Sequence, residues 1–148
     1  MPSKHMVGQQ SDYNVIGVDY GQKRVGVALG HAIARLPRPY KVLRHDDQLL
    51  AQLQAIIEGE KVGVIVLGLP VPFGGGASRQ TELTLDFGKT LQSTFKLPLY
   101  YVNEALTSVE AENELGEKAL STSVDAHAAA AILERYFAGE TIETKGTL

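Results

Sequence analysis

The chain has no cysteine and no long apolar run. Without cysteine, it has no disulfide framework and no thiol chemistry. No apolar stretch approaches the roughly 20 residues that a transmembrane helix needs. The first residues, MPSKHMVGQQSD, also lack the apolar centre of a signal peptide. We therefore expect a cytoplasmic protein with no membrane partner.

An overall surplus of positive charge is missing as well. The net charge is -3, whereas proteins that bind nucleic acid usually carry a basic surface. Positive charge is nevertheless concentrated in one part of the chain, at Lys23, Arg24, Arg35, Arg38, Lys41 and Arg44. These side chains are either solvated strand and loop positions or a basic face beside the first hairpin, and the sequence leaves both interpretations open.

The length of 148 residues predicts one domain with a real hydrophobic core. We expect a flexible leader at residues 1–13, a folded domain at 14–138 and a C-terminal tail at 139–148. Alternating apolar residues predict strands at 15–19 and 24–29, joined by a tight turn in which Gly21 can take a positive φ. Pro37 and Pro39 predict that a third strand, near residues 40–43, is short or lies at an edge.

The rest of the chain alternates between helical and strand patterns. Asp46 or Asp47 is expected to cap a helix that ends at Gly59. A continuous apolar strand at 62–67 follows, then a helix at 78–94, a strand at 98–102, a helix opening at Thr107 and a helix at 124–136. This order predicts an α/β domain with a mixed five-stranded sheet, antiparallel over its first three strands and then parallel, flanked by helices. It is typical of a ribonuclease H-like domain, although other α/β folds share it.

Three acidic residues stand out by their position. Asp19 ends the first strand, Glu104 directly follows the strand PLYYV, and Asp125 opens the alanine-rich last helix. The carboxyl ends of parallel strands meet along one edge of a sheet, where ligands bind. If the three carboxylates meet there, they repel one another, so either their pKa values are raised or a cation is bound between them. Mg²⁺ is the natural cation, with Mn²⁺ as a substitute. Two such ions can activate a water molecule and stabilise the leaving oxygen when a phosphodiester is hydrolysed.

Each acid also has an ordinary structural explanation. Asp125 alone would be an aspartate favoured by the helix dipole, and Glu104 alone could be a surface loop residue. Asp19 is harder to explain in this way, because an acid at the end of a core strand is costly to bury without a role.

Four motifs are similar to those of the YqgF/RuvX family, and the resemblance as a whole extends over residues 15–136. The run VDYGQKRVG at 18–26 is similar to the family's D-[FY]-G-x-K-R-[IV]-G opening. VLGLP at 66–70 is similar to its VGLP strand end, and residues 124–133 are similar to its VD-x-x-AA-x-x-IL helix. NEALTS at 103–108 aligns with its DER-[LF]-[ST]-[ST] motif.

The resemblance implies a ribonuclease H-like fold and a magnesium-dependent nuclease. Asp19, Glu104 and Asp125 match the family's acidic triad and are the expected catalytic and metal-binding residues, with Lys23 and Arg24 as candidates for substrate contact. The implied functions are maturation of the 5′ end of 16S rRNA from its precursor and resolution of Holliday junctions. The expected partners are therefore structured RNA or branched DNA, together with ribosomal particles. Monomer and homodimer both stay open.

Two departures from the family pattern suggest another alternative. Asn103 stands where relatives have an aspartate, and Ala105 stands where they have an arginine. With the acidic balance of the chain, this leaves open a binding module of the same fold that has little catalytic activity. Sugar kinases and actin-like ATPases open with a similar hairpin, but they need two such domains and a much longer chain.

Overall fold

The computed structural model describes residues 12–104 and 121–142 of the chain. Within these ranges the strands and helices follow one another in an order close to the predicted one. They are β1 (Asn14–Tyr20), β2 (Arg24–His31), β3 (Arg38–Arg44), α1 (Leu49–Gly59), β4 (Val62–Leu69), α2 (Arg79–Phe95), β5 (Leu99–Asn103) and α3 (Ser121–Phe137). The helix predicted to open at Thr107 lies outside the described residues, as do most of the predicted leader and the end of the predicted tail.

The five strands form one mixed sheet in the order β3-β2-β1-β4-β5. The pairs β1–β2 and β2–β3 are antiparallel, whereas β4 runs parallel to both β1 and β5. This arrangement confirms the predicted sheet. β3 lies at an edge, as its prolines indicated, and the ladder to β2 shifts register beside Pro39. Proline is tolerated there because an edge strand leaves some N–H groups without a ladder partner.

Helices cover both faces of the sheet. On one face, α1 and α2 contribute Leu53, Ile56, Phe87 and Leu91 to a core with the inward side chains of the strands. On the other face, α3 packs Ala129, Ile132 and Leu133 against the sheet. The interior strand β4 is buried on both faces, which explains its continuous apolar sequence.

The helix ends follow local hydrogen-bonding rules, with one correction. Ser78 caps α2, and its side chain and that of Thr81 form a reciprocal capping box. The prediction that Asp46 or Asp47 caps α1 is wrong, because Gln48 holds the cap position without a side-chain cap. Asp46 instead accepts a hydrogen bond from the Gln48 backbone N–H at 2.9 Å, and so forms a turn just before the helix.

Over residues 12–104 and 121–142, no helix is both long and apolar enough to cross a membrane.

Candidate active site

Asp19 and Glu104 are brought together by the parallel arrangement of β1, β4 and β5. β4 lies between the other two strands, so the carboxyl ends of all three meet at one edge of the sheet. Val15 and Val102 face α3. Because side chains alternate along a strand, Asp19 at the end of β1 faces the same side, and Glu104 follows β5 in the same phase. The structure thus joins two residues that are far apart in sequence.

Gly68 in β4 leaves the space that the Glu104 carboxyl group occupies. A Cβ atom at this position would lie 2.7 Å from Glu104 Oε1 and would also collide with the Ile132 side chain. A larger residue at this position would therefore force the ends of the Glu104 and Ile132 side chains to move. Sequence analysis did not assign this role to Gly68, although a glycine inside an apolar strand is a known sign of close approach.

The electrostatics of the pair follow from burial and from the third acid. Burial raises the pKa of Asp19 and of Glu104 above their ordinary values, because the charged forms lose water, and the negative charge of Asp125 raises both further. The hydrogen bond between the two carboxyl groups lowers the pKa of Asp19 and raises that of Glu104. The raised pKa therefore favours a protonated Glu104 carboxyl group, which donates a hydrogen bond to the Asp19 carboxylate.

Asp125 lies beside this pair but is bound to an arginine. Its Oδ2 accepts a hydrogen bond from Arg24 Nε at 2.9 Å. Its backbone is held against β2, because the Asp125 carbonyl oxygen occupies the space where a side chain at Gly26 would begin. Of the predicted triad, the structure places Asp19 and Glu104 in direct contact and directs Asp125 towards Arg24.

The turn between β1 and β2 is fixed by side chains that sequence analysis did not single out. His45 Nδ1 donates to the Gly21 carbonyl at 2.7 Å, and the Tyr20 hydroxyl donates to His45 Nε2 at 3.1 Å. The Tyr20 ring also stacks on Phe87, with 3.9 Å between ring centroids. Nothing in the sequence connects His45 to a turn more than twenty residues earlier, so only the fold could reveal this contact.

Gly21 is required in this turn for a reason other than the predicted one. Positive φ was expected, but Gly21 is absent from the described glycines that adopt it, which are Gly74, Gly75, Gly76 and Gly139. A Cβ at Gly21 would instead lie 2.5 Å from the Arg24 carbonyl oxygen. That oxygen accepts a hydrogen bond from the Gly21 N–H at 3.0 Å, so the two backbones approach too closely for a side chain. The exposed Lys23 lies within this turn.

The donor chemistry at the site suits a hard divalent cation. Carboxylate oxygens are the ligands that Mg²⁺ prefers, and a cation would favour the charged forms of the pair, which burial and the neighbouring acids disfavour. Asp19 and Glu104 would hold such an ion once Glu104 loses its proton, and Asp125 could join them after leaving Arg24. As they stand, no three His, Asp or Glu side chains in the described ranges are grouped to bind one ion.

The chain resembles known proteins in sequence. The family model described as "RuvX: Holliday junction resolvase" matches residues 13–139. A relative from Maridesulfovibrio salexigens, named "Putative pre-16S rRNA nuclease", is 37% identical over 84% of this chain and 97% of its own length. A relative of the same name from Paraburkholderia phymatum is 34% identical over 87% of each chain.

Two solved structures share the fold at low sequence identity. The Thermus thermophilus RuvC in complex with a Holliday junction substrate has a TM-score of 0.56 at 14% identity, over 88% of this chain and 99% of RuvC. The yeast mitochondrial Holliday junction resolvase Ydc2 has a TM-score of 0.55 at 12% identity, over 86% of this chain and 78% of Ydc2. These similarities support the ribonuclease H-like fold predicted from the order of elements.

Proposed function

Because the chain belongs to the RuvX family, we propose that it is a divalent-metal-dependent nuclease that matures the 5′ end of precursor 16S rRNA. The observation that carries this proposal is the contact between the half-buried Asp19 and Glu104, whose carboxyl pKa values are both raised. The name shared by its relatives, which cover most of the chain, supports the choice of substrate. Its place of action would be the cytoplasm, on ribosomal particles or free precursor RNA.

Asp19, Glu104 and Asp125 are the proposed ligands for Mg²⁺ or Mn²⁺. When bound, the ion would activate a water molecule and stabilise the leaving oxygen of the phosphodiester. The chain itself supplies a half-buried pair of carboxyl groups, where electrostatic interactions are stronger than in bulk solvent. Glu104 has to release its proton to bind the ion. Lys23 and Arg24, on the neighbouring turn and strand, are the proposed contacts for the substrate phosphates.

The test is cleavage of a precursor 16S rRNA fragment by the purified protein. We expect cleavage only with Mg²⁺ or Mn²⁺, and a loss of roughly 10²-fold or more in rate for Asp19→Asn, the scale seen when one group of a catalytic set is removed. Gel analysis of end-labelled RNA would locate the cut at the mature 5′ end.

Asp86→Asn is the matched control, because Asp86 is exposed on α2 and the substitution is chemically identical. This variant should cleave at the wild-type rate. Full activity of Asp19→Asn, or cleavage that persists in a metal chelator, would contradict the proposed site.

Holliday junction resolution is the second candidate, favoured by the description of the matching family. A four-way DNA junction offered beside the RNA separates the two functions. If the protein cuts the junction faster than the RNA and makes paired symmetric nicks, junction resolution replaces rRNA maturation as the proposed function.

The third alternative is a binding module with little catalysis. Ala105, on which this alternative depends, lies outside the described residues. Salt-dependent binding of either substrate without any product would support it, and efficient turnover would exclude it.

A further inference from the structure

The ion pair between Arg24 and Asp125 lies at the edge of the carboxyl pair. The two side chains are 38% and 26% exposed, so a solvent-borne anion can reach the guanidinium. Asp125 is close enough to raise the pKa of both Asp19 and Glu104 by its charge. Its carboxylate nevertheless points to Arg24 and leaves the described acids short of a three-carboxylate metal site.

The backbone on both sides of this ion pair is held in place. Arg24 and Gly26 lie on the same face of β2, two residues apart. The Asp125 carbonyl packs directly on Gly26. α3 therefore cannot shift along β2 without losing this contact, and only rotation of the Asp125 and Arg24 side chains can exchange their partners.

A second arginine makes the position attractive to an anion. Arg44 in β3 is the cross-strand partner of Arg24, and like charges opposite each other on a sheet are unfavourable. Lys23 is the next residue along the chain and is exposed. A phosphate group between these cations would relieve their repulsion. A guanidinium binds phosphate as readily as carboxylate, so phosphate can compete with Asp125 for Arg24.

We propose that Arg24 is a positioning residue which holds Asp125 away from the Asp19–Glu104 pair until a phosphate of the nucleic acid takes its place. This inference rests on the proposed function. In the free protein, Arg24 neutralises Asp125 beside two other acids. When the phosphate binds Arg24, Asp125 rotates towards the pair and completes the metal site. Phosphate and metal ion therefore bind cooperatively, and each raises the affinity for the other by the same factor.

The test is the Mn²⁺ affinity of the full chain, measured by titration calorimetry without nucleic acid. Arg24→Gln cannot form the ion pair and leaves Asp125 available, so we expect its Mn²⁺ affinity to exceed the wild-type value by about tenfold. A purely structural role for Arg24 would instead weaken Mn²⁺ binding, because α3 would lose an anchor. Equal or weaker binding by a folded Arg24→Gln therefore overturns the proposal.

Arg44→Gln is the matched control, since it removes the same charge from the adjacent strand without touching the ion pair. It should change the Mn²⁺ affinity much less than Arg24→Gln does. If the two variants gain equally, the effect is general electrostatics and the proposal fails.

A short 5′-phosphorylated RNA, which represents the product and is not cleaved further, tests the coupling. It should raise the Mn²⁺ affinity of the wild type by about tenfold and that of Arg24→Gln only slightly. RNA that leaves the wild-type affinity unchanged overturns the proposal. If Arg24→Gln does not fold, Asp125→Asn serves instead, and it too should lose the coupling to RNA; retained coupling contradicts the inference.

Failure of this inference can be distinguished from failure of the proposed function. If Asp19→Asn binds Mn²⁺ as well as the wild type does, the metal site itself is misplaced and both proposals fail. If Mn²⁺ binding requires Asp19 but Arg24→Gln gains no affinity, only the role of Arg24 is wrong.

Discussion

Asp19 and Glu104 bring two carboxyl groups into contact in a half-buried position. The two acids share a proton in a position where neither carries its charge easily, and Asp125 adds a third negative charge nearby. Such an arrangement is costly without a cation. Groups with strongly shifted pKa values gather at functional sites, and this pair lies at the carboxyl ends of the parallel strands, where ligands generally bind in α/β sheets.

The stability of the metal-free protein should fall as pH rises. Because burial raises the pKa of both carboxyl groups, the folded chain keeps a proton that the unfolded chain releases above its ordinary carboxyl pKa of about 4. The folded state then binds more protons, so the free energy of unfolding decreases from this pH upward, towards the raised pKa of Glu104 at about 11.

The Asp19→Asn variant tests this pH dependence of the free energy of unfolding. Without the neighbouring charge, and with an amide that can donate to Glu104, the variant should be more stable than the wild type at pH 8 by about 1–3 kcal/mol. The gain should shrink towards pH 5. Urea unfolding in a metal chelator measures both values, with Asp86→Asn as the exposed control. A variant less stable than the wild type at pH 8 would show that the pair is not strained.

At the scale of elements, α3 approaches the sheet closely because glycines lie beneath it. Gly26 in β2, Gly17 in β1 and Gly68 in β4 each face a residue of α3 at a distance that excludes a side chain. At Gly26 the obstacle is the Asp125 backbone, which cannot move aside as a flexible side chain could. The start of α3, and with it Asp125, is placed by this contact.

Gly26→Ala should therefore displace the beginning of α3. We expect a loss of about 2–4 kcal/mol in the free energy of unfolding, because a clash in a well-packed core forces backbone shifts. Chemical denaturation measures this loss. Gly59→Ala is the control, since a Cβ at the end of α1 meets no atom within 4 Å. Similar stability of the Gly26→Ala and Gly59→Ala variants would contradict the close packing of α3.

At the scale of the whole molecule, the chain beyond α3 returns to the sheet. The Ile142 N–H donates to the Tyr101 carbonyl at 2.8 Å and forms a short antiparallel bridge with β5. Arg135 and Glu140 form an ion pair at 2.9 Å across the same turn. The predicted domain boundary at residue 138 stays a prediction, but these contacts fall just outside it.

Truncation tests where the folded domain ends. A chain that stops after Ala138 loses the Ile142 bridge and the Glu140 ion pair, so it should lose about 1–2 kcal/mol and a few degrees in melting temperature. A chain that stops after Ile142 keeps both contacts. Calorimetry of the two truncated chains should separate them, and equal melting temperatures would place the boundary at 138.

Much of the fold could be predicted because it depends on local patterns. Alternation identified β1 and β2, the continuous apolar run identified β4, and the prolines indicated that β3 lies at an edge. The cap of α1 was mispredicted because Asp46, Asp47 and Gln48 are adjacent, and Asp46 accepts a hydrogen bond from the Gln48 N–H one residue before the helix position that it was expected to cap. The local sequence does not show which of these three residues takes the cap position.

The sequence by itself determined the order of elements and the candidate acids, since periodicity and strand ends are properties of neighbouring residues. Only the tertiary structure decided how those acids are paired. Asp19 meets Glu104 because β1, β4 and β5 run parallel and end at the same edge of the sheet, and because Gly68 leaves room for the Glu104 carboxyl group. Asp125 meets Arg24, 101 residues away in sequence, because α3 lies on Gly26. Such contacts depend on sheet register and packing distance, which no short stretch of sequence specifies.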